Sequence, residues 1–461
     1  MIPNVEPLSE IDRARVFHPS THLAKFSRGD IPNRIMARGS GVHVTDRDGR
    51  RSLDGFAGLY CVNVGYGRDD IAEAIYKQAK ELAYYHTYVG HSNEPVIRLA
   101  DRIVRKAGMD MQRVYFGLSG SDANETNIKM VWYYHNIIGK PEKRKIISRR
   151  RGYHGSGLMT GSLTGLPGFQ NHFNLPFSDV LHTTTPHYWR EKREGESEMA
   201  FSRRCAQDLE ALIRKEGPET IAAFIGEPVL GTGGIVPPPE GYWAEIQAVL
   251  QRHDILLIVD EVVTGFGRIG HYFGSHAYGI KPDIVTIAKG LTSAYLPLSG
   301  SIIGKRVWEV LEQGTDKTGP IGHGWTYSGH ALCAAAANAN LDIVDSEDLT
   351  GNARDVGGYM QQRLHETFDD HPLVGEVRGV GLLAALEFVR DKASRGFFDP
   401  ADGVGAMVSA ACADEGLIAR AMPNGDILGF APPLVITRDE VDEMVGMAKA
   451  AVDRVAKKVG A

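Results

Sequence analysis

The chain has 461 residues, of which 43% are hydrophobic and 23% are charged, and its formal net charge is −6. This composition excludes disordered and fibrous proteins, and the length predicts two or three domains. The mildly acidic balance excludes a global attraction to nucleic acid or to an anionic membrane.

Targeting and redox signals are also weak. Residues 1–7 lack a basic region followed by an apolar core, and no run approaches the roughly 18 apolar residues of a membrane span. The four cysteines are widely separated, which predicts neither a zinc site nor a disulfide framework. We therefore expect a soluble cytoplasmic protein that binds neither nucleic acid nor membrane.

The first part of the chain predicts a small domain. Residues 1 to about 35 are polar and predict irregular structure, and 41–51 predict a β-hairpin that turns at Asp48 and Gly49. From about residue 70 the pattern becomes α/β. We expect 1–70 and 336–461 to form the two parts of a small α+β domain, and 71–335 to form a large domain.

Helical and strand patterns alternate through the large domain. Helices are predicted at 71–82, at 121–135 and around Trp243, and strands at 113–116, 221–225, 255–259 and 284–287. Such alternation predicts a mainly parallel central sheet covered by helices. Towards the C-terminus, the alanine-rich run 331–339 predicts a packed helix, and Thr437 with Glu440 fits a capping box that begins a final helix.

A basic cluster, 140–151, contains seven lysines or arginines in twelve residues. Two interpretations are open for it. It is either a solvated connection leading into Ile146 and Ile147, or a patch that steers or binds an anion.

Two apolar strands end in charged residues that could carry chemistry. The run 255–261 ends in Asp260 and Glu261, and the run 284–290 leads to Lys289. The carboxyl ends of parallel strands are where an α/β protein places its site. A lysine that forms a Schiff base, and a carboxylate that keeps a pyridine nitrogen protonated, are what pyridoxal phosphate (PLP) chemistry requires. Taken alone, Asp260 also fits a capping or ion-pair residue, and a lysine before Gly290 is unspecific.

A third element is the segment 117–124, Gly-Leu-Ser-Gly-Ser-Asp-Ala-Asn, between a predicted strand and a predicted helix. Its glycines allow close backbone approach, and a helix start with two hydroxyls can hold a phosphate. The alternative is an ordinary helix cap.

With these motifs the chain resembles the class III aminotransferases of PLP fold type I, and within them the amine:pyruvate or ω-transaminase branch. The resemblance extends over nearly the whole chain. It rests on 54–67, on 260–268 followed by 288–290, on 416–420 and on 431–434.

The resemblance implies a cofactor site. Lys289 would hold PLP covalently and move the proton, and Asp260 would pair with the pyridine nitrogen. Gly120 and Ser121 would bind the phosphate, with Thr326 contributed by a second subunit, so that the site needs a homodimer. The further cofactor residues that it implies are Tyr153 and Val262 on the two ring faces, His154, and Glu227, whose role stays open.

The resemblance also implies a substrate site. Arg420 would bind the carboxylate of an amino or keto acid, unless it forms a surface ion pair. Tyr60, Tyr88 and Thr232 stand where relatives often have Trp, Phe and Ala, and Asp122 stands where they usually have Glu. Together with Tyr153, these substitutions predict a pocket rich in hydroxyls and poorly suited to aryl amines. The alternative is that the hydroxyls bond to backbone or water.

The expected function is a PLP-dependent aminotransferase with a ping-pong mechanism. It would move an amino group from an amine or ω-amino acid to a keto acid, for which pyruvate is expected. Two alternatives remain: another fold type I enzyme, such as an aminomutase or a decarboxylase, and a PLP-binding protein without turnover. The sequence leaves open whether dimers pair into tetramers.

Overall fold

A seven-stranded sheet forms the centre of the computed structural model, which describes residues 7–423 and 425–460. The expectation for residues 1–6 lies outside the described residues. The strands are β1 Met36–Ser40, β2 His43–Asp46, β3 Arg51–Asp54, β4 Met111–Gly117, β5 Lys145–Arg149, β6 Val180–Thr183, β7 Ile221–Gly226, β8 Leu256–Asp260, β9 Ile284–Ile287, β10 Ser299–Gly304, β11 Val374–Val380, β12 Leu383–Phe388, β13 Leu417–Ile418, β14 Arg420–Ala421 and β15 Ile427–Phe430.

Helices surround these strands. They are α1 Leu8–Arg15, α2 Leu23–Arg28, α3 Ala57–Tyr60, α4 Asp69–Glu81, α5 Glu94–Ala107, α6 Gly120–Ile137, α7 Leu158–Leu163, α8 Tyr188–Glu191, α9 Glu198–Glu216, α10 Tyr242–Arg252, α11 Gly274–Tyr278, α12 Lys305–Thr318, α13 Ala331–Ser346, α14 Leu349–Phe368, α15 Val404–Asp414 and α16 Arg438–Val459. Within the described residues, no helix is both long and apolar enough to cross a lipid bilayer.

The central sheet has the order β4-β10-β9-β8-β7-β5-β6. Strand β10 runs antiparallel to both neighbours, and the ladders from β9 to β6 are parallel. Every residue of β7, β8 and β9 is buried. Full burial is expected where helices cover both faces of a parallel sheet. The prediction of a covered, mainly parallel α/β sheet is confirmed.

Two smaller sheets complete the fold. The predicted hairpin forms β2 and β3, and the C-terminal strand β13 pairs parallel with β3. The other sheet is antiparallel, with the order β11-β12-β15-β14. One apolar cluster joins Val42 and Leu53 to Phe430 and Met444. Residues from both ends of the chain thus share one core, while the domain boundaries at 70 and 335 stay predictions.

The prediction of irregular structure before residue 35 is wrong for the described part, because α1 and α2 form there. Buried Phe26 holds them together: its ring lies 4.5 Å from the His18 ring and 4.9 Å from the Arg13 guanidinium. Gly29 follows the last residue of α2 and is left-handed, with φ 87°. A glycine in this position is a helix stop signal.

Neither interpretation of the basic cluster holds for its buried members. Arg149 is fully buried on β5, donates a hydrogen bond of 2.6 Å to the Glu227 carbonyl, and lies 5.3 Å from the Trp243 ring. Lys143, 5% exposed, donates to the Asp254 carbonyl at 2.7 Å. Because these cations are buried and bound to backbone carbonyls, they form neither a solvated connection nor an exposed anion site.

Candidate active site

Strands β7, β8 and β9 end at one edge of the central sheet, and a cavity of about 430 Å³ opens there. Asp260 is the last residue of β8, and Lys289 follows β9 after Ala288. The cavity brings together eight of the residues singled out in the sequence: Gly120, Ser121, Tyr153, His154, Glu227, Asp260, Val262 and Lys289.

Hydrogen bonds hold the Asp260 carboxylate in one orientation at the cavity wall. Its Oδ2 accepts from Asn124 Nδ2 at 2.8 Å and from His154 Nδ1 at 2.9 Å, and its Oδ1 accepts from the Val262 N–H at 3.1 Å. Asp260 is 4% exposed. Since a carboxylate oxygen can accept about two hydrogen bonds, Oδ1 keeps room for one further donor.

Lys289 is presented to the cavity by a strained backbone. Its φ is 47°, in the left-handed region that side chains other than glycine rarely adopt. Its Nζ lies 5.9 Å from the Tyr60 ring centroid, and no residue within 7–423 or 425–460 forms a hydrogen bond or ion pair with it. A Cβ added to Gly290 would lie 2.3 Å from Asn63 Nδ2, so a glycine is required after the lysine.

The segment before α6 is both a helix cap and an open helix start. Ser119 Oγ accepts from the Asp122 N–H at 3.2 Å, and Asp122 Oδ2 accepts from the Ser119 N–H at 3.0 Å. The shorter Asp122 therefore closes the capping box. The first N–H groups of a helix have no partner inside the helix, so those of Gly120 and Ser121 can receive an anion.

Glycines bring neighbouring segments close to this helix start. A Cβ on Gly120 would lie 3.0 Å from Val262 Cγ2, and a Cβ on Gly155 would lie 2.6 Å from Ser121 Oγ. The Ser156 N–H donates to Ser121 Oγ at 3.1 Å. The helix start, the segment after β8 and the loop after β5 therefore meet in one wall of the cavity.

Glu227 connects two loops of the site. Its Oε1 accepts from the Tyr153 N–H at 3.1 Å, and its Oε2 accepts from the Gly231 N–H at 2.8 Å. Burial raises the pKa of Glu227, and the Asp260 charge acts in the same direction, while His154 opposes both. The Tyr153 hydroxyl lies 3.2 Å from Ser156 Oγ.

Tyr60 and Arg420 lie next to the cavity but do not line it. Tyr60 is 2% exposed, and its hydroxyl lies 3.9 Å from Met422 Sδ. Burial raises the pKa of Tyr60 far above its ordinary value, and the Arg420 charge acts in the opposite direction. The Arg420 guanidinium lies 5.6 Å from the Phe56 ring. Arg420 is thus a partly buried cation beside the site.

The remaining three residues lie apart from the cavity in a single chain. Thr232 is 6% exposed on the loop that follows Glu227. Tyr88 is 40% exposed, and a Cβ on Gly324 would lie 2.4 Å from its hydroxyl. The exposed Thr326 accepts a hydrogen bond at its carbonyl from the Tyr84 hydroxyl. Tyr88 and Thr326 therefore belong to neighbouring parts of one exposed surface.

Sequence reasoning missed the role of Asn124. Besides Asp260, its amide donates to the His154 carbonyl at 2.9 Å, and its Oδ1 accepts from Thr286 Oγ1 at 2.7 Å. Thr286 also accepts from Asn127 Nδ2 at 2.8 Å. The signal was present, because two asparagines three residues apart on a buried helix need specific partners. Cys61, another cavity residue, was also missed.

Comparison with known proteins matches these features to one family. The aminotransferase class-III family model matches residues 26–452. A diaminobutyrate–2-oxoglutarate transaminase from Halomonas elongata is 62% identical over 97% of this chain and 96% of its own length.

Solved structures of transaminases are also similar to this chain. A transaminase obtained by directed evolution through ancestral reconstruction has 68% identity and a TM-score of 0.97, covering 98% of this chain and 99% of its own. The omega transaminase from Pseudomonas jessenii, in complex with PMP, has 41% identity and a TM-score of 0.96, covering 99% of each chain. Like its relatives, this chain belongs to the class III aminotransferases, which are PLP-dependent transaminases.

Proposed function

We propose that this transaminase moves an amino group from an amine or ω-amino acid donor to pyruvate, in two half-reactions of a ping-pong mechanism. The observation that carries the proposal is the arrangement in one cavity of an anchored carboxylate, Asp260, and an ammonium, Lys289, that has no hydrogen-bond or ion-pair partner among the described residues. A second cation, Arg420, lies beside that cavity: its guanidinium is 5.6 Å from the Phe56 ring, which is 4.4 Å from the Tyr60 ring.

The residues of the site fit PLP. Asp260 Oδ1 can accept a hydrogen bond from a protonated pyridine nitrogen, the start of α6 can receive a phosphate, and Lys289 is available for covalent attachment. When bound, PLP supplies a carbonyl carbon that takes up the amine and a ring that accepts electrons.

In this proposal each side chain has a definite task. Lys289 Nζ would hold the cofactor. In the donor half-reaction it would take the proton from the substrate carbon that bears the amine and pass it to the cofactor carbon, and in the acceptor half-reaction it would carry a proton the opposite way. Asp260 keeps the pyridine nitrogen protonated, and His154 keeps Asp260 in place. Gly120 and Ser121 bind the phosphate. Tyr153 and Val262, which both line the cavity, would cover the two faces of the ring, and Glu227 would fix the Tyr153 loop.

The cations of the site support pyruvate as the acceptor. Lys289 is the only lysine or arginine among the described residues that line the cavity. Of the two arginines close to Tyr60, Arg268 already donates to the Pro432 carbonyl and to Asn63 Oδ1, whereas Arg420 lies over the Phe56 ring. With Lys289 used for the cofactor, Arg420 remains for one carboxylate. Pyruvate has one carboxylate, whereas the 2-oxoglutarate named for the Halomonas relative has two.

For the donor, we propose small polar amines or ω-amino acids rather than bulky arylalkyl amines. The names of two relatives, a diaminobutyrate–2-oxoglutarate transaminase and an omega transaminase, support donors of this class. The residues assigned to donor recognition are Tyr60, Tyr88, Tyr153 and Thr232. Of these, Tyr153 lines the cavity of a single chain, and in this proposal the other three add hydroxyls from beside it. Such hydroxyls favour donors that can pair with them.

We also propose a homodimer with a shared site. Large apolar side chains are exposed where Tyr88 and Thr326 lie: Val89 is 94% exposed and Tyr327 is 55% exposed. Such a patch is typical of a protein interface. Thr326 from a second copy would then complete the phosphate site.

The four free cysteines of the described residues support the proposal of a reducing, cytoplasmic setting.

The acceptor is tested with the purified holoenzyme. One ω-amino acid, without acceptor, should release one equivalent of carbonyl product per site, as a ping-pong mechanism requires. Pyruvate should then restore turnover with a higher kcat/KM than 2-oxoglutarate. A higher kcat/KM for 2-oxoglutarate would overturn the acceptor assignment, and product release only after acceptor addition would overturn the mechanism.

A further inference from the structure

A buried cluster of ionisable residues lies outside the cavity and joins the α8 region, which follows β6, to the sheet that carries Arg420. It consists of His187, Arg190, Glu376, Arg378 and Glu387, and we call it the charge cluster. Arg378 Nη1 donates to Glu376 Oε2 and to Glu387 Oε2, both at 2.6 Å, and Arg190 donates to Glu387 Oε1. Arg378 is 6% exposed and Glu387 is 2% exposed.

The charge cluster is an ion-pair network rather than a metal site. The potential ligand atoms of His187, Glu376 and Glu387 lie within 4.8 Å of one another. However, Arg378 and Arg190 already neutralise the two carboxylates, so no negative charge remains to favour a divalent cation. His187 Nε2 lies 2.9 Å from Glu376 Oε2 and connects to the carboxylate as a hydrogen-bond donor.

Arg378 also fastens the loop that carries Thr232. Its Nε and Nη2 donate to the Gly234 carbonyl at 3.0 and 2.6 Å, and Nε donates to the Ile235 carbonyl at 3.0 Å. A Cβ on Gly234 would lie 3.2 Å from Arg378 Nη2, so loop and guanidinium are in close contact. The planar fork of an arginine suits such multiple bonding.

Arg378 and Arg420 lie in one row across the second small sheet. Arg378 on β11 pairs with Ala385 on β12, Ala385 pairs with Gly429 on β15, and Gly429 pairs with Arg420 on β14. Side chains of directly paired residues point to the same face of a sheet. Three strand spacings separate the two arginines by about 14 Å.

The Thr232 loop packs on this same face. A Cβ on Gly429 would lie 3.2 Å from Ile235 Cδ1, so the glycine makes room for the loop. The sheet is therefore fixed to the site loop by Arg378 at β11, while its other edge, at β14, carries Arg420.

We propose that Arg378 is a positioning residue that sets where Arg420 holds a substrate carboxylate relative to Lys289. This inference rests on the proposed role of Arg420. Because β11 to β14 form one hydrogen-bonded sheet, a shift at Arg378 changes the position of Arg420. The shift leaves the contacts of Asp260, at the end of β8, and of Lys289, just after β9, unchanged.

The test compares Arg378→Lys with wild type. In a ping-pong mechanism, kcat/KM for each substrate reports its own half-reaction. We expect kcat/KM for pyruvate to fall by at least about tenfold, towards the roughly 100-fold that a misplacement of 1 Å can cost. The value for an amine without a carboxylate should fall much less, because such an amine makes no contact with Arg420. Propanoate is a carboxylate that cannot be aminated. Its inhibition constant should rise in parallel with the fall in kcat/KM for pyruvate.

Three further variants make the test specific. Arg420→Ala is the reference for loss of carboxylate binding. Lys143→Met removes a buried cation far from the site and should leave the ratio of the two kcat/KM values and the propanoate constant unchanged. Glu376→Gln weakens the charge cluster by removing a partner of Arg378. It should also lower kcat/KM for pyruvate, and it keeps the test possible if Arg378→Lys does not fold.

The outcomes separate the two proposals. If Arg420→Ala impairs pyruvate selectively but Arg378→Lys and Glu376→Gln do not, the positioning role is overturned and the role of Arg420 stands. Equal losses for amine and pyruvate in Arg378→Lys would also overturn the positioning role. If Arg420→Ala itself shows no selectivity, the assignment of Arg420 fails, and the inference drawn from it fails with it.

Discussion

His154 Nδ1 lies 2.9 Å from Asp260 Oδ2, and both side chains are buried, with side-chain exposures of 0% and 4%. Asn124 shares the same carboxylate oxygen. Two donors that are themselves fixed by the fold prevent Asp260 from turning away from the cavity. The acid that a PLP site requires is thus held in place before any substrate binds.

Replacing the cavity lysine tests the chemistry directly. Lys289→Ala should fold and retain the phosphate site, but it should show neither the absorbance of covalently bound cofactor nor turnover. The covalent link and the proton carrier are removed, whereas α6 is unchanged. Absorbance spectra and steady-state rates measure both effects. Lys305→Ala, an exposed lysine, is the control, and normal turnover by Lys289→Ala would overturn the assignment.

Asp260→Asn should slow both half-reactions, on the order of 100-fold, because a neutral partner no longer favours a protonated pyridine nitrogen. Its amide would also meet the donors of Asn124 and His154. Stopped-flow measurement with donor and with pyruvate checks both rates. Asp283→Asn, on the segment before β9, is the matched control and should keep its rates. Equal rates for Asp260→Asn and wild type would show that Asp260 is structural.

Arg420→Ala should impair reactions of keto and amino acids while sparing simple amines, since only the acids present a carboxylate. Loss of a charge-assisted, two-point contact costs on the order of 2–3 kcal/mol, or roughly 30- to 150-fold in kcat/KM. The measurement is kcat/KM for pyruvate and for an amine. Similar losses for both would contradict the proposed role.

The pocket hydroxyls lead to a prediction about donors. Tyr60→Trp combined with Thr232→Ala should shift preference from a polar ω-amino acid towards an arylalkyl amine. The change removes two hydroxyls and adds an aromatic face. The ratio of kcat/KM values for the two donors, in both proteins, checks this. An unchanged ratio would mean that the hydroxyls act within the protein, as the contacts of Tyr60 with Met422 and of Tyr153 with Ser156 allow.

From the buried ion pairs of Glu387 we predict that the stability of the protein depends on pH. Burial acts to raise its pKa, but the charges of Arg378, His187 and Arg190 outweigh burial and hold the pKa at about 2, below the ordinary 4.5. A carboxyl whose pKa is lowered in the folded state stabilises the protein at every pH above its ordinary pKa. This contribution to stability is lost as the pH falls towards 2.

At neutral pH, Glu387→Gln should lower the free energy of unfolding by about 3–5 kcal/mol, because it leaves buried guanidiniums without a counter-charge. The difference from wild type should shrink as the pH falls from about 4.5 towards about 2, because wild-type Glu387 is protonated first in the unfolded state and then in the folded state. Urea unfolding at several pH values measures it. A difference that stays constant with pH would contradict the prediction.

Much of the fold was predictable because local patterns and long-range packing agree. The strands that end at Asp260 and before Lys289 are apolar runs of the right length, and the capping box of Thr437 and Glu440 begins α16 as expected. By contrast, α1 and α2 depend on contacts of Phe26, and no periodic apolar pattern marks them.

For the site, the sequence by itself determined which strands end in an acid and a lysine, because strand ends follow from local hydrophobicity. Only the tertiary structure decided what holds them. Asn124 and His154 reach Asp260 from segments 136 and 106 residues away in the chain. Arg378 and Arg420 share a row through three strand pairings. Such relationships depend on register and chain crossing, which no local pattern encodes.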